Sequence, residues 1–212
     1  MTVSIVSLTV HGTDDVCVSF AITNGTDTQT ERLVVAAATV ADLHLTVGDC
    51  NEACFDAVLA AAQKHEATRR ALSLLSFGRQ SPKALARKLV QKGIDREIAT
   101  EAVNGLIRCG YLNPRADAYA EATACIAKGW GRTRISSSLY EKGYTAPIVH
   151  EALDRLDEDG VDYAENCAAL MRRRFPSRPT DPRERAKMYA SLARYGYTSS
   201  DIREALQLLD HE

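Results

Sequence analysis

Gly105 and Gly110, in the run Gly105-Leu-Ile-Arg-Cys-Gly110, have the separation found in loops that cradle phosphate. Such a loop needs a lysine directly after its second glycine, to reach the phosphates, and a strand in front of it. Tyr111 stands in the lysine's place and the flanking pattern is helical, which argues against nucleotide hydrolysis. Gly129-Trp-Gly131 is too short to specify a site by itself. Cys50 and Cys54 are four apart with His44 nearby, but a zinc site needs four ligands in paired spacing and no second pair exists. His11, His44, His65, His150 and His211 are dispersed, and no serine sits in a nucleophile-elbow context. With no acid, base and nucleophile brought together, the residues point to no enzyme, no cofactor and no metal.

The basic side chains are a better lead. Arg69, Arg70, Arg79, Lys83, Arg87 and Lys88 form one cluster, and Lys128, Arg132 and Arg134 a second. Arg172, Arg173, Arg174, Arg178, Arg183, Arg185 and Lys187 form a third. Residues 1–67 carry two basic and nine acidic side chains, a net of −7, so the rest of the chain holds +5 of the total of −2. This asymmetry suggests a basic working surface facing a polyanion or an acidic protein, solvated helix faces being the plain alternative. Arginine's planar fork suits phosphate and carboxylate alike. No helix offers Asn, Gln and Arg at its N-terminus in the manner of a recognition helix, so phosphate or protein contact is expected in place of base readout.

One small unit used three times must position these side chains. Lys92-Gly93-Ile94 returns as Lys142-Gly143-Tyr144 and again as Tyr195-Gly196-Tyr197, at intervals of 50 and 53 residues. Leu89, Leu139 and Leu192 precede the three glycines by four, and Ala102-Val103, Ala152-Leu153 and Ala205-Leu206 follow them by nine and ten. A period near fifty marks a tandem helical array. Ser81-Pro82, Asn113-Pro114 and Asp181-Pro182 start helices, each with a capping side chain before a proline whose missing N–H costs nothing there. Asp95, Thr145 and Ser199 are read as caps of the helices after the glycines, and the glycines as helix C-caps. Those later helices show one apolar face: Ile98, Ala102, Val103, Leu106; Ile148, Ala152, Leu153, Leu156; Ile202, Ala205, Leu206, Leu209. Ile202 stands six after its glycine where Ile98 and Ile148 stand five, which reads as one residue inserted in the third turn. Preceding helices are expected at Ala71 to Phe77, Tyr119 to Ile126 and Asn166 to Phe175.

The first third is different material. Val16, Val18, Phe20 and Ile22 alternate after the Gly12-Thr13-Asp14-Asp15 turn, with a less tidy run of Val3, Ile5, Val6, Leu8 and Val10 before it. A hairpin, a third strand near Arg32 to Ala36 and a helix from Asn51 toward Ala67 follow from this. The expected division is an acidic β-rich extension over 1–66 and repeats over 67–110, 111–160 and 161–212. The fold class is mainly α: tandem three-helix repeats forming an elongated curved array. The six cysteines are read as core filling in a reduced, cytoplasmic protein. Low aromatic content and the lack of a long apolar seam suggest a monomer.

The ordered motifs resemble those of the RecX regulatory proteins, bacterial modulators of the RecA recombinase. They are Arg79-Gln-Ser81-Pro-Lys-Ala-Leu85 with Leu89 and Lys92-Gly93-Ile94; Gly110-Tyr111-Leu112-Asn113 followed by Tyr119-Ala120; Lys128-Gly129-Trp-Gly131-Arg-Thr-Arg134-Ile135 with Leu139 and Lys142-Gly143-Tyr144; and Tyr195-Gly196-Tyr197 with Asp201-Ile202. The resemblance covers about residues 66 to 210; Pro114, Gln80 and the segment from Ser177 to Pro182 depart from it. It implies a non-enzymatic protein that binds RecA and its DNA filament along the helical groove. It further implies suppression of ATP hydrolysis, strand exchange and stimulated repressor cleavage, and so modulation of recombinational repair and the SOS response. An array of three units suits contact with more than one filament subunit. Arg79, Lys83, Arg87, Lys88, Arg132, Arg134, Arg172, Arg173 and Arg174 are the candidate contacts with RecA or filament DNA, while Tyr111, Leu89, Ile135, Leu139 and the glycines are read as structural. A nonspecific DNA-binding helical module is the alternative. The third turn, where Tyr195 replaces the lysine, is where the surface is expected to diverge.

Overall fold

The alternation around the Gly12 turn builds an N-terminal sheet. In the computed structural model, which describes residues 2–177 and 179–210 apart from the Asp49 side chain, β1 (Thr2–His11), β2 (Asp15–Asn24) and β3 (Asp27–Ala36) form an antiparallel meander. A short fourth strand, β4 (Gly48–Cys50), pairs with β1, giving the order β3-β2-β1-β4. The untidy run in β1 has a cause. Ile5 pairs with Phe20 but Ser7 with Ser19, so Val6 is an extra residue, a β-bulge whose side chain stays exposed. β3 begins earlier than the sequence suggests because Asn24 pairs directly with Asp27, leaving a two-residue loop. Helix α1 (Ala37–Asp42) and β4 had no signal in the sequence pattern.

Asn51 caps α2 (Glu52–Ser76), its Oδ1 accepting from the Cys54 N–H at 2.7 Å. The two helices expected over 51–67 and 71–77 are one, since no glycine or proline interrupts the stretch between them. Its first half lays Phe55, Val58 and Ala62 on Val3, Ile5, Val16, Val18, Phe20 and Val35, with the Phe20 and Phe55 rings edge to face at 5.0 Å. Its second half turns Ala71, Leu74 and Leu75 toward Leu85, Leu89, Val103 and Leu106 of α3 (Pro82–Gln91) and α4 (Arg96–Arg108). The second repeat is α5 (Pro114–Ile126), α6 (Arg132–Lys142) and α7 (Ala146–Glu158). The third is α8 (Tyr163–Arg174), α9 (Pro182–Arg194) and α10 (Ser199–Asp210). Each repeat closes its own apolar core. The architecture is therefore mainly α, with three-helix repeats behind a small β-rich extension.

The three middle helices end alike. Ile94, Tyr144 and Tyr197 return their N–H groups to the carbonyls of Leu89, Leu139 and Leu192, and Gly93, Gly143 and Gly196 bond three residues back, which is a Schellman stop. Each glycine sits in the left-handed region, at φ 85°, 92° and 89°. Six residues later the chain buries Ala99, Val149 and Ile202. The third turn therefore contains no inserted residue. Ile202 is the counterpart of Ala99 and Val149, whereas Ile98 and Ile148 are only half-buried neighbours of the core position.

Ser81, Asn113, Asp181 and Asp95 accept first-turn N–H groups as expected. Thr145 occupies its cap without a side-chain hydrogen bond. Ser199 lies inside α10; the cap is Thr198, whose hydroxyl accepts from the Asp201 N–H while the Asp201 carboxylate accepts from the Thr198 N–H at 2.7 Å. Tyr111, expected to be structural, is 69% exposed, and its neighbour Leu112 fills the core.

The chain divides into two compact units, Met1–Gly78 with Leu85–Leu112, and Arg79–Ala84 with Asn113–Glu212. The second therefore includes the first turn of α3. Among the described residues all six cysteines are free; Cys50, Cys125 and Cys167 are buried and Cys109 is exposed. No described helix is long and apolar enough to cross a membrane. Arg178 and His211, named above, lie outside the described residues.

Candidate partner-binding surface

In the second unit the repeats are joined end to end through their middle helices. The α6 N-terminus meets the α9 C-terminus: the Gly131 N–H donates to the Tyr195 carbonyl at 2.8 Å and the Thr133 N–H to the Gly196 carbonyl at 3.2 Å. The carbonyls left over by one helix end thus satisfy the N–H groups left over by the next helix start. The α6 C-terminus meets the first turn of α3 in turn, where the Ser81 hydroxyl donates to the Lys142 carbonyl at 2.5 Å. The first junction is so close that a Cβ on Gly131 would lie 2.4 Å from the Gly196 oxygen, and one on Gly196 would lie 2.3 Å from the Arg134 nitrogen. Tyr197 locks it by donating its hydroxyl to the Gly129 carbonyl at 3.0 Å. Burial pushes the pKa of that hydroxyl well above the ordinary tyrosine range, so it stays a donor at physiological pH. The Gly129-Trp-Gly131 stretch, uninformative by itself, is the loop clamped here.

On this junction cations and rings alternate. Lys128 lies 5.5 Å from the Trp130 ring and Arg134 lies 4.2 Å from it; Arg134 is also 5.1 Å from the Tyr195 ring, over which Arg174 sits at 4.8 Å. Arg134 donates besides to the Arg194 carbonyl at 3.4 Å. Arg173 reaches the same loop, its Nη2 4.0 Å from where a Gly129 Cβ would stand. Rings hold guanidinium groups in place without neutralising them. Among the described residues no carboxylate pairs with Lys128, Arg134, Arg173 or Arg174, so the ladder presents positive charge in a set geometry.

The structure divides the nine candidate cations. Arg134, Arg173 and Arg174 come together at the ladder. Arg132 donates to Asp154 at 3.3 Å and forms an ion pair with Asp157 at 3.2 Å, tying the start of α6 to α7. Arg172 pairs with Glu165 on its own helix at 3.2 Å. Arg79 lies 3.5 Å from Asp117, whose pKa burial raises although Arg79 opposes the shift. Lys83 packs its stem beside Gly143, with Cβ 3.2 Å from the position of a Gly143 Cβ. Arg87 and Lys88 stand on the part of α3 that belongs to the first unit, Arg87 exposed and Lys88 half-buried. Lys128, Trp130 and Tyr195 complete the ladder and were not among the nine. Lys128 and Arg134 flank Trp130 at short range, which is a local signal; the link from Arg134 to Tyr195 crosses 61 residues and has none.

Residues 161–206 match the model of the third three-helix domain of RecX. "Regulatory protein RecX" of Xanthomonas axonopodis pv. citri is 34% identical over 138 residues, covering 65% of this chain and 83% of that protein. The Leptothrix cholodnii protein of the same name is 34% identical over 143 residues, covering 68% and 88%. A crystal structure of regulatory protein RecX superposes with a TM-score of 0.75 at 19% identity, covering 97% of this chain and 99% of that one. RecX from Lactobacillus salivarius gives 0.62 at 22% identity, covering 71% and 98%. These two show the shared fold. The relatives share its sequence as well, and the chain belongs to the RecX family of regulatory proteins.

Proposed function

We propose that this chain binds the RecA recombinase and its DNA-bound filament, and acts without catalysis to restrain ATP hydrolysis, strand exchange and coprotease stimulation. Its place of action is the cytoplasm, where recombinase and DNA meet, and its effect is to damp recombinational repair and the SOS response. The observation that carries this reading is the ladder at the junction of the second and third repeats, where cations with no carboxylate partner among the described residues are held by rings in a protein of the RecX family. Arg173 and Arg174 meet carboxylates of the recombinase or phosphates of its DNA; Arg79, Lys83, Arg87, Lys88, Arg132 and Arg172 lie outside that centre. A bound protein that prefers one filament state shifts the filament toward it by its differential affinity alone.

The test is RecA-type ATP hydrolysis on single-stranded DNA with this protein added below the recombinase concentration. The reading expects hydrolysis to fall. Unchanged hydrolysis together with tight, steeply salt-dependent binding to bare DNA would instead establish the nonspecific DNA-binding module.

A further inference from the structure

One edge of the N-terminal sheet is open. β3 ends the order β3-β2-β1-β4 and pairs on one side only. The two-residue loop makes Asn24 and Asp27 the first hydrogen-bonded pair, so Gln29, Glu31, Leu33 and Val35 turn their backbone groups toward β2. Thr28, Thr30, Arg32 and Val34 turn theirs outward, and among the described residues nothing bonds to those outward groups. All four residues are exposed. The register of β3 on β2 runs without a bulge and the strand holds no proline, so only its charges blunt the edge. Beside its second half, within the first unit, lies a cavity of about 430 Å³ lined by Leu33, Val34, Leu59, Ala62, Ile94 and Ile98. The open ladder calls for an extended backbone, and the cavity for an aliphatic side chain carried on it.

Charge decides whose backbone that is. Two copies pairing edge to edge about a two-fold axis, in the two registers that use nearly the whole strand, would set Glu31 against Glu31 or Arg32 against Arg32. β3 is thus built against pairing with itself. Of the charged groups lining the cavity, Glu66 is taken by Arg69 and Arg70, and Asp95 by the first-turn N–H groups of α4. Arg32 lines it too and has no carboxylate partner among the described residues. An acidic residue on the incoming strand answers it.

We propose that the open edge of β3 takes an extended segment of a partner protein as a further strand, with an aliphatic side chain entering the cavity beside Leu33 and an acidic one facing Arg32. Main-chain bonds to residues 28, 30, 32 and 34 hold the segment, and the two side chains select it. One strand buries less than the roughly 1,000 Å² of a stable pair, so the contact is transient. The site lies within the first unit and shares no residue with the ladder, so the two are tested apart.

Selection of phage-displayed random peptides of about ten residues on the full chain, with Val34→Pro as the counter-target, reads it directly. Proline at 34 deletes an outward N–H that β2 does not use, so the sheet stays folded, which circular dichroism verifies. The enriched peptides are expected to alternate aliphatic and polar residues, with an acidic residue next to an aliphatic one. A synthetic copy of the most enriched peptide, followed by fluorescence anisotropy, binds Val34→Pro roughly tenfold more weakly than the wild type, the effect of one lost hydrogen bond. It slows hydrogen exchange at the N–H groups of Thr28, Thr30, Arg32 and Val34. Arg32→Glu weakens it roughly fivefold, and lysine in place of the peptide's acidic residue restores binding to that variant. Failure of any peptide to enrich over Val34→Pro overturns the proposal, as does an enriched peptide that protects other amides. A wild-type chain that dimerises in sedimentation velocity and returns to monomer on Val34→Pro also overturns it, since the edge then belongs to a second copy.

Discussion

The turns at Gly196 and Gly93 share a backbone and differ in what meets them. At Gly196 the start of α6 is pressed against the turn so closely that neither glycine has room for a methyl group. At Gly93 the same Schellman stop faces open space and a guanidinium. The motif by itself therefore only ends a helix; binding belongs to what docks on it. The intermediate case is Gly143, where a Cβ would stand 3.1 Å from the Ser81 hydroxyl. The three glycines grade one contact from occupied to empty.

Substitution by alanine should reproduce that gradation. Gly196→Ala carries the largest effect, because its methyl collides with the Arg134 backbone on top of left-handed strain; roughly 3 kcal/mol or more of stability is lost in urea denaturation. Gly143→Ala adds crowding by Ser81 and Lys83 to left-handed strain and costs about 2 kcal/mol. Gly93→Ala carries the strain alone, about 1 kcal/mol. Equal losses at the three sites would break the comparison. Ser81→Ala removes both the α3 cap and the bond to the Lys142 carbonyl, for a loss of about 1 to 2 kcal/mol.

The smallest effect concerns acid. Burial alone pushes the Glu66 pKa up, but hydrogen bonds from Arg69 and Arg70 outweigh that and hold it below the ordinary carboxylate range. A depressed carboxylate contributes stability that is present above its unfolded pKa of about 4.3 and is lost as pH falls through the lower folded value. Glu66→Gln should flatten that acid limb in pH-dependent unfolding. Because Arg70 also caps the Lys92 carbonyl, the variant probes how the vacant turn is held.

Much of the helical fold was legible because its signals are local. A cap three residues from its donor and a glycine after an apolar run lie within one window, so Ser81, Asn113, Asp95 and Asp181 could be read directly. The third turn was misaligned by residue type: Ile98 and Ile148 stand out beside Ala99 and Val149, yet Ala99 and Val149 fill the core. Val6 disguised the first strand because a bulge shifts alternation by one. The basic clusters were visible, but the neutralising partners of Arg79 and Arg132 come from other helices, 38 and 22 to 25 residues away. Spacing could not separate these paired arginines from Arg173 and Arg174. Tyr195, which departs from the repeated lysine, stands between Arg134 and Arg174, contacts that reach 61 and 21 residues along the chain.

The central claim is that the cations gathered at the junction of the second and third repeats, not the carboxylate-paired ones, engage the recombinase filament. Titration of RecA-type ATP hydrolysis on single-stranded DNA with two folded variants, Arg173→Ala/Arg174→Ala and Arg79→Ala, tests it most directly. The account predicts that inhibition falls at least tenfold in potency for the double variant and changes less than twofold for Arg79→Ala, roughly the difference between losing two charge-assisted contacts and one exposed pair. Full inhibition by the double variant, or an equal loss in both, would contradict it.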